Sequence, residues 1–126
     1  MVDEIYRAKT DGTGVAKVLA GDDTWEDQGQ PSPWGTLVSY RSSLPYAWQK
    51  GTRRSSLRLE LWALTQDGSR VQLSEVNKPA AARRRAYVYD YAWGPDGREI
   101  AIFAARYEIN EKPRLSIDIL RLNDSF

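Results

Sequence analysis

The chain contains no cysteine and no histidine among its 126 residues. Without cysteine there is no disulfide framework, thiolate nucleophile, iron–sulfur cluster or cysteine zinc site. Without histidine the commonest general base is missing, and a Ser-His-Asp triad, a two-histidine zinc helix and a histidine pH switch are all excluded. Charge of one sign is lacking too: 18 Lys plus Arg stand against 17 Asp plus Glu, a formal net charge of +1. The whole chain is therefore no electrostatic magnet for nucleic acid or an anionic membrane, and any such affinity must be local. No run approaches the roughly eighteen consecutive apolar residues of a membrane span, and residues 1–9 lack the apolar centre of a signal peptide. The remaining composition, 41% hydrophobic and 28% charged, is that of an ordinary globular domain.

What is present is a repeat. Ile5-Tyr6-Arg7-Ala8-Lys9-Thr10-Asp11-Gly12-Thr13-Gly14-Val15 lies over Leu61-Trp62-Ala63-Leu64-Thr65-Gln66-Asp67-Gly68-Ser69-Arg70-Val71 without a gap. Asp-Gly between two strand-like runs is a strong hairpin signal, which predicts positive φ at both central turn residues. A second element also recurs: Ser32-Pro33-Trp34-Gly35-Thr36-Leu37-Val38-Ser39-Tyr40 parallels Gly94-Pro95-Asp96-Gly97-Arg98-Glu99-Ile100-Ala101-Ile102-Phe103. Here proline pre-sets the turn and glycine closes it. Asp11, Asp67 and Asp96 are read as turn residues, with no catalytic role.

Alternation predicts strands near 4–10, 14–19, 25–30, 36–42, 57–65, 69–74, 86–93, 98–106 and 114–122, with no convincing helix. Tyr87, Tyr89, Tyr91 and Trp93 are placed on one face, and so are Leu57, Leu59 and Leu61. Apolar side chains on both faces of 100–103 mark an inner strand. The last strand carries Leu115, Ile117 and Ile119 on one side.

Trp93-Gly94-Pro95-Asp96-Gly97 with Ile100-Ala101-Ile102-Phe103, and Leu61-Trp62-Ala63-Leu64 before Asp67-Gly68-Ser69, resemble the repeat of TolB-like β-propellers, a WD-like blade. The blade of that family carries a Trp-Ser-Pro-Asp-Gly turn, an Ile-Ala-Phe strand and an Asp-Gly-Ser turn. This chain departs from the pattern: Gly94 replaces the serine, Trp34 replaces the turn aspartate of the first copy, and Pro31 stands where the tryptophan would be. The copies are also farther apart than the roughly 40 to 45 residues of a typical propeller repeat.

The resemblance implies an all-β, antiparallel fold of propeller-type blades: a partial blade over 1–20, a blade over 21–76, and a blade lacking its last strand over 77–126. Blades bury their faces against neighbours, so about two of them leave faces and edges open. The chain then reads as a piece of a longer propeller, as one that closes a ring by homo-oligomerising through a swapped N-terminal strand, or as a smaller closed β-fold sharing the motifs. By the same resemblance it is a non-catalytic scaffold that binds protein or ligand, periplasmic or extracellular; otherwise it is a soluble cytoplasmic one. An alternative is a segment gating a separate serine-hydrolase domain.

Candidate sites lie in two long loops. Tyr46, Trp48, Arg53 and Arg54, within 42–56, combine the residue types that dominate interface hot spots. Arg83, Arg84 and Arg85 end the loop 75–85 and precede the alternating tyrosines, an arrangement that could grip a polyanion while aromatics stack, although three arginines before a strand are more often solvated. Asp22, Asp23, Glu26 and Asp27 crowd one connection, but their spacing is not that of a calcium loop. No metal, cofactor or catalytic pair is expected, and exposed aromatics leave carbohydrate as a further alternative.

Overall fold

The computed structural model describes residues 5–17, 24–44, 46, 57–78, 84–108 and 112–123. Among them the chain is all-β and antiparallel, without a helix. Strands β1 (Tyr6–Arg7) and β2 (Ala16–Lys17) form a short hairpin. A four-stranded meander follows: β3 (Glu26–Pro31), β4 (Leu37–Ser42), β5 (Glu60–Thr65) and β6 (Arg70–Gln72). A second, three-stranded meander contains β7 (Arg84–Trp93), β8 (Glu99–Glu108) and β9 (Arg114–Arg121). β8 is its central strand, as the two-sided apolar pattern predicts.

The sequence repeat recurs in the turn bonds. Lys9 N–H donates to Thr13 O and Gly12 N–H to Lys9 O, each at 2.9 Å, and the same offsets link Thr65 with Ser69 and Gly68 with Thr65. Likewise Ser32 binds Leu37 and Gly35 binds Ser32, as Gly94 binds Glu99 and Gly97 binds Gly94. Only glycine takes positive φ in these turns, with 84° at Gly12, 87° at Gly68 and 70° at Gly97. The expectation of two left-handed residues is thus corrected. Each Asp-Gly loop is a right-handed turn closed by a left-handed glycine, a three-residue hairpin arrangement. The aspartate accepts bonds around its own turn: Asp11 Oδ1 from Thr13 N–H at 2.9 Å, Asp67 Oδ1 from Ser69 N–H at 2.9 Å, and Asp96 Oδ1 from Arg98 N–H at 3.0 Å. These bonds hold the Asp67 carboxyl down at about 2, the Thr65 hydroxyl contributing most.

The two meanders pack face to face. Leu61, Val88, Tyr91, Ile100 and Ile102 form the buried cluster between them, with Leu73, Val76, Trp93 and Leu120 at its border. Leu57, Leu59 and Leu61 share the buried face, as alternation predicts. A second cluster joins Trp25, Leu57 and Leu59 under Tyr87. Residue Leu59 also forms a parallel bridge with Tyr87, closing the β7 edge: Val88 N–H donates to Leu59 O at 3.0 Å.

The predicted common face of Tyr87, Tyr89, Tyr91 and Trp93 is not formed. The β7–β8 register runs Val88 to Ala104 and then Asp90 to Phe103, so Tyr89 is the extra residue of a β-bulge. The bulge reverses the alternation, because each added residue exchanges the faces beyond it. Ala86, Val88 and Tyr91 are therefore buried, while Tyr89 is exposed. The carbonyls freed there are taken by Arg41, whose Nη1 donates to Val88 O at 3.0 Å and Tyr89 O at 3.1 Å. Asp27 fixes that guanidinium through a second, bidentate contact, with Arg41 Nε to Asp27 Oδ1 at 2.6 Å. Beside it the Tyr91 hydroxyl donates to Gln28 O and lies 3.0 Å from Ser39 Oγ, which accepts from Trp93 Nε1 at 2.8 Å. Burial foremost pushes the Tyr91 hydroxyl up to about 12.

Candidate functional site

The four-stranded sheet has an internal anchor. Glu60 is fully buried, and its carboxylate accepts from Ser74 Oγ at 2.6 Å, Val76 N–H at 2.9 Å, Asn77 N–H at 3.1 Å, Asn77 Nδ2 at 3.0 Å and the Tyr46 hydroxyl at 3.0 Å. Asn77 in turn accepts from Ala86 N–H through Oδ1 at 2.7 Å, which joins the anchor to β7. A buried carboxylate surrounded by donors holds a loop in place and has no free face for substrate.

The predicted site residues divide around this anchor. Tyr46 is half-buried, with its hydroxyl on Glu60 and the Arg58 guanidinium 5.7 Å from its ring centroid. Burial first and the Glu60 charge second raise its hydroxyl to about 12. Trp48, Arg53, Arg54 and Arg83 lie outside the described residues, as do Asp22 and Asp23. Arg84 and Arg85 belong to β7, which starts earlier than predicted, so they do not end a loop. The Arg85 guanidinium lies 4.1 Å from the Tyr107 ring centroid and 5.7 Å from that of Tyr87, and donates to Leu57 O at 3.3 Å. It braces the crossing between the two sheets.

Beside Arg85 is a pocket of about 180 Å³, lined by Asn77, Lys78, Arg85, Arg106, Tyr107 and Glu108 among others. That is below the roughly 300 Å³ at which small-molecule sites begin. Its cations are already engaged: Lys78 Nζ with Glu75 at 2.7 Å, and Arg106 with Ser116 Oγ and Asp118. Among the described residues no group of three or more acidic side chains is placed to hold a metal ion. Glu26 accepts from Thr24 Oγ1 at 2.6 Å, and Asp27 is committed to Arg41 and Trp25. No helix among the described residues is long and apolar enough to cross a membrane.

The unusual surface lies elsewhere, on the outer side of the three-stranded sheet. Register sets Phe103 opposite Ile117, Ala101 opposite Ile119 and Ala105 opposite Leu115. These share the face opposite Ile100, Ile102 and Ala104; it is open along Leu115, Ile117, Ile119 and Phe103, whereas Ala105 on it is buried. On it Leu115 is 72% exposed, Ile117 61%, Ile119 57% and Phe103 43%. Toward the core side β9 presents Ser116 and Asp118, opposite Ala104 and Ile102. β9 thus turns Leu115, Ile117 and Ile119 outward, while its core side carries Ser116, Asp118 and Leu120, the last packed at the border of the core. Alternation had picked out Leu115, Ile117 and Ile119 as one side, but nothing in the strand itself says which side is covered. The outer edge of β9 pairs with no described strand.

Comparison of the chain with protein-family models, with curated protein sequences and with solved structures finds no match.

Proposed function

We propose that the chain is a non-catalytic scaffold of propeller-type blades, and that the outer face and free edge of the β7–β9 sheet receive another polypeptide. The observation carrying this reading is the outward apolar row of strand β9, with Leu115, Ile117 and Ile119 more than half exposed on one face. With Phe103 beside them they form a contiguous exposed apolar row, and exposed apolar patches of this kind are often functional. The repeated turns and the two face-packed meanders support the blade reading, because blades bury successive faces against neighbours. The polar clusters favour no chemistry: Glu60, Asp27, Arg41 and Arg85 are occupied in holding loops and sheets together.

The test combines solution mass with binding of an apolar fluorescent dye, for the native chain and Ile117→Lys. The scaffold reading expects either an assembly that excludes dye or a monomer that binds it, and Ile117→Lys removes whichever signal is present. A monomer whose dye binding ignores Ile117→Lys overturns it.

A further inference from the structure

We propose that the cleft between the two Pro-x-Gly turns binds a neutral sugar ring, with Trp34 as the surface on which the ring stacks. The site stands apart from the β9 face and does not depend on what covers that face.

The sequence repeat builds the cleft. Ser32-Pro33-Trp34-Gly35 and Gly94-Pro95-Asp96-Gly97 are equivalent turns, one in each meander. Packing of the meanders sets them side by side, and Trp34 Nε1 donates to Asp96 O at 2.6 Å. A Cβ on Gly97 would come within 2.6 Å of Trp34 Cδ1, so it is the missing side chain that lets the edge of the indole sit there. Bond and contact together fix the orientation of the ring, yet Trp34 is 74% exposed. The contact between the turns uses the pyrrole edge and leaves most of the indole in water. A large apolar ring held in one orientation is prepared for a partner, since binding has little left to order.

The cleft has a volume of about 460 Å³, inside the roughly 300–1,000 Å³ of small-molecule sites. Ser32, Trp34, Thr36, Asp96, Arg98 and Asn123 supply its aromatic and polar lining. Ser32 is only 6% exposed, and its Oγ accepts from Leu37 N–H at 3.1 Å, which leaves its proton to donate. Asp96 Oδ1 accepts from Arg98 N–H, and its Oδ2 takes no bond from a described residue. The Thr36 hydroxyl likewise makes no bond to a described residue.

These groups select the ligand by chemistry. A sugar hydroxyl both donates and accepts, and the lining offers acceptors at Asp96, donors at Arg98, and both at Ser32, Thr36 and Asn123. One carboxylate against one guanidinium leaves no net charge to favour a phosphate or a cationic amine. A wholly apolar ligand would strip water from the polar groups and give them no partner. An uncharged ring with an apolar C–H face and hydroxyls at its edge satisfies both parts of the site, and that is a pyranose.

The chain has five tryptophans, so a proton–nitrogen correlation spectrum has five indole N–H signals, and Trp34→Asp identifies that of Trp34 by its loss. Titration with the methyl glycosides of glucose, galactose, mannose and N-acetylglucosamine is expected to move the Trp34 signal saturably with at least one of them, and to move it more than the other tryptophan signals. Trp34→Asp, which copies the residue of the second turn, is expected to weaken that binding by about tenfold, read at the Gly97 backbone signal. Asp96→Asn keeps the acceptor for Arg98 N–H but loses the carboxylate, and is expected to weaken binding by about tenfold with an unchanged thermal midpoint. Glycosides that all leave the Trp34 signal in place overturn the proposal. So does binding that survives Trp34→Asp, because the sugar then sits elsewhere. A Trp34 signal moved by adenosine, inorganic phosphate or choline, and by no glycoside, means that the cleft takes another class of ligand, and the proposal fails.

Discussion

The two meanders share a turn chemistry and differ in how they place their side chains. In the four-stranded sheet both faces carry buried residues: Leu61 and Ala63 toward the second sheet, Tyr40 and Glu60 on the opposite side. In the three-stranded sheet the strands are longer, and the outer face is covered at Ala105 but open along β9. Its outer face keeps Phe103, Leu115, Ile117 and Ile119 in solvent. The first sheet is completed by polar bonds from its own loops, with Glu60 tying Tyr46, Ser74, Val76 and Asn77 to β5. The second has apolar surface where the first has loops. A sheet covered by its own loops buries both faces, and the docking surface proposed above rests on the second sheet's exposed apolar outer face.

The largest effect that would break this contrast lies at Glu60. Glu60→Ala removes the acceptor from five donors at once and leaves buried N–H and O–H groups unpaired. It is expected to cost about 3–5 kcal/mol in chemical denaturation. Glu75, in the same loop, is exposed, and among the described residues its side chain pairs with Lys78. Its alanine variant is expected to change stability by less than about 0.5 kcal/mol. Equal effects at the two positions would mean that the loop is not held by the buried carboxylate.

A pair of isoleucines one strand apart sharpens the comparison within the second sheet. Ile100 is fully buried on the inner face of β8, and Ile117 stands on the outer face of β9. Ile100→Ala opens a cavity and is expected to cost about 2–4 kcal/mol. Ile117→Ala, measured where the chain is monomeric, is expected to cost less than about 0.5 kcal/mol. A large loss at Ile117 under those conditions would place that residue in the chain's own core and end the case for an outer docking face.

Much of this architecture was legible because strands and turns are local. The Asp-Gly and Pro-x-Gly signals located the turns at Gly12, Gly35, Gly68 and Gly97, since glycine there takes a conformation that other residues resist. The bulge at Tyr89 was not legible: no glycine or proline marks it, and it exists because Arg41, distant in sequence, binds the carbonyls it frees. Glu60 was equally hidden, for alternation places a carboxylate between Leu59 and Leu61 on what looks like a wet face. Only the return of residues 74–77 supplies the donors that let it be buried. The site was half visible. The apolar side of β9 could be read from spacing, but its exposure depends on which face β8 turns to the first sheet, and that is decided by long-range packing.

A smaller loss than at Glu60 or Ile100 is expected at the seam between the sheets. Tyr91 is buried there, with its hydroxyl donating to Gln28 O beside Ser39. Tyr91→Phe keeps the ring and removes that bond, at an expected cost of about 1 kcal/mol at neutral pH. Alkali gives the same residue a second signature. Unfolded, its hydroxyl ionises near 10.0; folded, burial holds it at about 12. Between those values the unfolded chain has released a proton that the folded chain retains, so stability is full below pH 10 and falls as pH rises toward 12. Tyr40, also buried, is raised to about 12 and contributes in the same direction from the first sheet. Tyr91→Phe is therefore expected to flatten the alkaline loss of stability without abolishing it, since Tyr40 remains. The measurement is denaturation midpoint against pH, with tyrosinate absorbance recorded alongside. An alkaline slope identical to that of the native chain would mean that the Tyr91 hydroxyl is not buried, and that the two sheets do not close over it.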